Sequence, residues 1–150
     1  MAHNVLIVIH AVAAVAALGT GLLSLRSART TQLLAAHAAL TTVMAAVLPL
    51  SLAVGWSELT TLTRGIFVAL SALAAVMAGR SWLARRAAQR GHDLAVVEHV
   101  GFTLIALVTG FLTVAVLRAG GGSVGVVAAA IAVPLLGHLV MSRLRTRVAG

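Results

Sequence analysis

NVLIVIHAVAAVAALGTGLLSL, residues 4–25, settles what kind of molecule this is. The stretch carries no charged side chain, and about 20 mainly apolar residues are enough for an α-helix to cross the hydrocarbon of a bilayer. No water reaches the backbone there, so the amides must bond within the segment, and a helix does this. Arg26 follows at once, as a cation does at a membrane surface. The same reading, carried along the 150-residue chain, gives further spans at 33–55, 65–83, 94–117 and 123–142. Short polar or glycine-rich links separate them, GGGS at 120–123 being a turn signal. The expected fold is an all-α, five-span transmembrane bundle forming one domain over 1–150, with Arg80 near the end of the third span and Trp56 and Trp82 bracketing that span.

Composition agrees with the first stretch. Hydrophobic residues make up 61% of the chain, charged residues 9%, and mean hydropathy is +1.08. A soluble domain carries about 25% charged residues, so this chain could not keep its surface in water. Cysteine is absent, which excludes disulfides, iron–sulfur ligation and thiolate chemistry. The net charge is +8, with eleven basic residues that are all arginine. These arginines flank spans instead of clustering in a soluble segment, so they point to anionic lipid head groups and not to nucleic acid. Arginine without lysine, in an Ala/Val/Leu/Gly-rich chain, is the usage of a high-GC bacterium, and the cytoplasmic (inner) membrane is the expected location.

The arginines also orient the bundle. Arg26, Arg29, Arg80, Arg85, Arg86, Arg90, Arg143, Arg145 and Arg147 fall on one side of a five-span arrangement, and only Arg64 and Arg118 on the other. By the positive-inside rule the N-terminus is outside and the C-terminus cytoplasmic. The first apolar run precedes its positive charges, so it reads as a permanent span and not a secretory signal.

The polar residues of the spans are few and are mainly histidines. HNVLIVIH at 3–10 and HDLAVVEH at 92–99 both place two histidines seven apart. The correspondence runs on, with His3, Val8, His10, Ala17, Leu18, Thr20, Gly21, Leu23 and Arg29 matching identical residues 89 positions later. Spans one and four cross in opposite directions, so a duplication here would be an inverted repeat, a device of transporter folds. The alternative is that His at a helix entry followed by small residues is a common way to start and pack a span. In HDLAVVEH, His92 and Asp93 read as interface and cap residues, while Glu98 and His99 lie one layer deeper. His37, His99 and His138 fall in the inner half of the bilayer and His10 in the outer half.

Ionisable residues within a span are costly and usually functional. Three uses compete. Two of His37, His99 and His138, with His10 as a further candidate, would ligate a b-type haem for electron transfer. Gly101 and Gly137 would leave room for the macrocycle, and Arg85, Arg86, Arg90 and Arg143 would meet its propionates or lipid phosphates. Alternatively, His99, Glu98 and His37 would hold a metal ion or relay protons, with His10 and His99 as stations on a file with Thr20, Thr103 or Thr109. In the third use the histidines only bond between helices, and the chain is an accessory subunit, homo-oligomeric or part of a larger membrane complex. No nucleophilic triad, HExxH motif or phosphate loop stands at a readable spacing.

With these residues in view, the chain resembles an uncharacterised group of small bacterial multi-pass membrane proteins with His-bearing helices. Their first span runs from a His to a Gly, as His10 to Gly21 does, and their second begins near a His, as at His37. A later His-bearing span runs into a Leu-x-Thr-Ala/Gly-Phe segment, here LVTGF at 107–111, and the last span holds a Pro and a Gly, here Pro134 and Gly137. The group usually follows the second-span His with Arg, where this chain has Ala38. The resemblance implies the architecture and draws attention to the histidines, and it implies no reaction.

Overall fold

The computed structural model describes residues 2–26 and 31–149, without the side chains of residues 2, 3, 123 and 144–149. Arg29 lies outside the described residues, and so do the side chains of His3, Arg145 and Arg147. The elements are α1 (Ala2–Arg26), α2 (Thr31–Val54), α3 (Thr61–Gln89), α4 (Asp93–Arg118) and α5 (Gly122–Ala149), with a 3₁₀ turn at Trp56–Glu58 before α3. All five helices are long and apolar enough to cross a membrane, and no strand occurs among the described residues.

The third helix differs most from its expected bounds. Its apolar part ends near Leu83, but the helix continues through ARRAAQ to Gln89. Ala, Arg and Gln are strong helix formers, so the backbone continues after hydropathy has fallen. Arg80 is therefore interior to α3 and does not sit at its end. Instead of reaching for a surface it lies 4.5 Å over the Phe102 ring of α4, a cation–π contact.

Glycine closes both of the tight links. Gly91 and Gly120 have φ of 73° and 76°, a left-handed conformation open to Gly at little cost. After α3, His92 N donates to Ala87 O and Gly91 N to Ala88 O; after α4, Gly121 N donates to Val116 O and Gly120 N to Leu117 O. This paired pattern satisfies carbonyls that a helix end leaves open. At the α2–α3 link Arg64 does the fastening, its Nε donating to Trp56 O at 3.1 Å while the guanidinium lies 5.1 Å over the Trp56 ring.

Packing makes α4 the hub. Helices α1, α2, α3 and α4 contact one another in a closed ring, and α5 packs along the outside of α4. In α4 44% of the most apolar window is buried, against 11% in α3 and in α5. The ring interior is filled by Ala13, Ala14, Ala17, Met44, Ala74, Met77, Ala106 and Leu107. A second cluster of Leu34, Ala84, Val96, Val100 and Leu104 closes the end that carries the arginines. Small residues dominate the first cluster because helices in lipid gain from close backbone approach and not from leaving water.

The α4–α5 seam shows this packing directly. Methyl-sized space beside Gly101 of α4 is occupied by Met141 of α5, and the space beside Gly137 of α5 by Ile105 of α4. The two contacts are reciprocal, each helix giving one glycine hole and one peg. Gly101 and Gly137 therefore do not leave room for a macrocycle, because the facing helix already fills that space.

Candidate functional site

The histidines divide into two kinds. His10 of α1 donates from Nδ1 to the carbonyl of Met44, which lies seven residues after His37 on α2. His37 of α2 donates from Nδ1 to the carbonyl of Ala17, seven residues after His10 on α1. The distances are 3.3 and 2.9 Å. A carbonyl only accepts, so both rings carry a proton on Nδ1, and in the neutral ring Nε2 is then the acceptor. The reciprocity extends to Ser24 and Ser51, each fourteen residues after its histidine and each donating at 2.8 Å to the carbonyl three residues back. The α1–α2 pair is thus fastened as a near two-fold hairpin.

His37 is wholly enclosed, and its Nε2 has no partner. It stands against Gly21, where an added Cβ would lie 3.0 Å from His37 Cε1 and 2.8 Å from Leu104 Cδ2. His10 is only half-buried and reaches a cleft. His99 is half-buried, with Nδ1 enclosed and unpartnered, and its carbonyl accepts from Thr103 Oγ1 at 3.0 Å. His138 is exposed on α5 and lines a second cleft. Neither of the two clefts described below gathers two of His37, His99 and His138 on its walls. Among the described residues no three His, Asp or Glu side chains are grouped to hold an ion, so His99, Glu98 and His37 do not converge on one point.

The proposed threonine file is also divided. Thr20 and Thr109 each donate to the carbonyl four residues back on their own helix, at 2.9 and 2.7 Å. That shared habit fits the sequence correspondence of α1 and α4, but their other features diverge. Gly21 is covered by His37 and Leu104 while Gly110 faces open space, and His10 makes a cross-helix bond that His99 does not.

Two clefts remain, of about 530 and 560 Å³, within the range of small-molecule sites. The first lies between α3, α4 and α5, where α5 packs on α4 and leaves α3. Its ionisable residues, Arg80, Glu98 and His138, all belong to the half of the bundle nearer the arginine-rich end. Thr109 and Thr113 line it further along, with Thr113 Oγ1 enclosed and unpartnered. The second lies within the α1–α4 ring and has His10, Ser51 and Arg118 towards the opposite end. Its deeper wall is the apolar ring core, including Ala14, Met44, Ala74 and Leu107. Leu70, Leu73 and Ala106 line both clefts, so the two adjoin there.

Arg85, Arg86, Arg90 and Arg143 sit outside both clefts, near the ends of their helices, with Arg85 lying 5.3 Å over the Trp82 ring. Trp82 Nε1 in turn donates to Thr42 Oγ1 of α2 at 3.1 Å. His92 precedes α4 without a side-chain capping bond, and Asp93 opens its first turn. Sequence reasoning missed Arg80, Phe102 and Arg118 as cleft residues. Running α3 on through its Ala/Arg tail would have placed Arg80 inside the bundle, whereas nothing in the sequence singles out Phe102, and Arg118 stands out there only by its side of the membrane.

No family model matches the chain, and neither does any curated protein or solved structure.

Proposed function

We propose that the protein is a membrane translocator that moves protons between two clefts through its imidazole and carboxylate groups. The observation that supports this reading is the pair of clefts with ionisable residues towards opposite ends, adjoining at Leu70, Leu73 and Ala106, which line both. His10 serves the cleft on one face, and His138 with Glu98 the cleft on the other. Imidazole takes up and releases protons near neutral pH. By the arginine distribution, the His10 cleft faces outward and the His138 cleft the cytoplasm. Protons suit the site better than metal ions, since a proton needs only one acceptor at a time and neither cleft gathers three ligands.

The test is proton flux in liposomes holding the purified protein and a pH-sensitive dye, with valinomycin and potassium compensating charge. Loaded vesicles are expected to dissipate a pH step severalfold faster than empty ones. His10→Phe and Ala106→Trp should return the rate towards that of empty vesicles. Equal rates with and without wild-type protein would overturn the reading.

A second reading, b-type haem binding for electron transfer, draws support from the first cleft alone. There a single imidazole, His138, shares mainly apolar walls with the Arg80 guanidinium, a fit for one axial ligand and one propionate partner. It calls for a Soret band and sharp reduced α/β bands in the purified protein, lost in His138→Ala. A colourless protein after supplementation with haem would remove it.

A further inference from the structure

Two tryptophan–arginine stacks mark the two ends of α3, and only one of them is closed by the protein itself. Arg64 lies 5.1 Å over the Trp56 ring and Arg85 lies 5.3 Å over the Trp82 ring. The two arginines are 21 residues apart, about 32 Å along a helix, which matches a hydrocarbon core of about 30 Å. Each stack therefore stands at its own membrane interface, the level that tryptophan favours.

The first stack is complete. Arg64 Nε donates to Trp56 O at 3.1 Å, and Glu58 belongs to the same 3₁₀ turn as Trp56. The second stack is fastened through its indole alone. Trp82 Nε1 donates to Thr42 Oγ1 at 3.1 Å, and that hydroxyl donates on to Ala38 O at 2.7 Å. This relay ties the ring to α2, and the ring holds the Arg85 guanidinium by its face. The N–H donors of a guanidinium lie in its plane, so stacking leaves them unused. Among the described residues, neither Arg85 nor the exposed Arg86 makes a side-chain hydrogen bond or an ion pair.

The chain supplies no anion for them. Helices α1, α2 and α3 contain no Asp or Glu. Glu58 precedes the far end of α3, Asp93 opens α4, and Glu98 belongs to the cleft between α3, α4 and α5, which Arg85 and Arg86 do not line. Beside the stack, Thr42, Val43, Trp82 and Leu83 are exposed, so this α2–α3 face is open to the bilayer. At head-group level the anion at hand is a lipid phosphate, which matches paired N–H donors of arginine.

We propose that Trp82, Arg85 and Arg86 form a binding site for an anionic phospholipid of the phosphatidylglycerol type, with its phosphate on the two guanidinium groups and the head of its acyl chain against Trp82 and Leu83. Arg64 is satisfied by its own turn, and Arg85 by the membrane. The site stands apart from both clefts and does not depend on what they carry.

The chain has two tryptophans and no tyrosine, which supplies the probe. In Trp56→Phe the remaining indole is Trp82, and brominated acyl chains quench an indole that they touch. The protein is reconstituted in phosphatidylcholine vesicles containing a small fixed fraction of brominated phosphatidylglycerol, or the same fraction of brominated phosphatidylcholine. The ratio of the two quenching efficiencies cancels changes in exposure of the ring. Trp82 should favour the brominated phosphatidylglycerol at least about fivefold, and Arg85→Gln should cut that ratio about fivefold, the effect of one arginine near anionic lipid. Arg85→Lys, which keeps the charge, should retain part of the preference. Arg26→Gln removes one exposed charge from α1, across the ring from α3, and should leave the ratio unchanged. Trp82→Phe, which leaves Trp56 as the reporter, should show no preference. Equal quenching by the two lipids would overturn the proposal. So would an equal fall in Arg26→Gln or an equal preference at Trp56, since either reports the diffuse attraction of a chain of net charge +8. Loss of the preference on adding glycerol phosphate would also overturn it, by assigning the arginines to a soluble anion.

Discussion

A histidine in a span can be chemistry or a fastener, and the histidines of this protein sit in unlike surroundings. His37 is the clearest fastener, fully enclosed, bonded to Ala17 O and seated on Gly21. His37→Ala removes that bond and leaves a cavity, so we expect a loss of about 2 kcal/mol or more in unfolding from detergent. Gly21→Ala should cost about 1–3 kcal/mol by overpacking against His37 and Leu104. Gly19→Ala, with nothing within 4 Å of the added methyl group, should be neutral or slightly stabilising. Equal effects of the two glycine substitutions would contradict the seat. The sequence marked His37 as unusual but not as a fastener, because its role depends on the α1–α2 register, which hydropathy does not encode. It marked His10 equally, and only the structure, by enclosing His37 and leaving His10 half-buried beside a cleft, separates the two.

At the level of helices, the spans were legible because each carries a long apolar run, as residues 4–25 do. The true end of α3 was not, because helix propensity outlasts hydropathy in ARRAAQ. Gly101 and Gly137 were noticed for the right reason, closeness, but assigned the wrong occupant. The facing helix fills them with Met141 and Ile105. Val at either glycine should destabilise the α4–α5 seam by about 1–3 kcal/mol, read by thermal unfolding in detergent. Combining Gly137→Val with Ile105→Ala should recover part of that loss, since the peg and the new side chain claim one space. Strict additivity of the two changes would argue against the reciprocal pegs.

Taken whole, the bundle is a four-helix ring with α5 strapped to α4, and its two clefts follow from that arrangement. The ring encloses one, and the departure of α5 from α3 opens the other. Neither was legible in the sequence, since both depend on which helices fail to touch. The absence of cysteine makes the central claim directly testable. Single cysteines at Ser51 and His10, and separately at Glu98 and His138, can be reacted with a membrane-impermeant thiol reagent in sealed vesicles of both orientations. The account predicts that the Ser51 and His10 positions react from one face and the Glu98 and His138 positions from the other. Reaction of all four from the same face, or of none from either, would contradict two opposed clefts meeting at Leu70, Leu73 and Ala106.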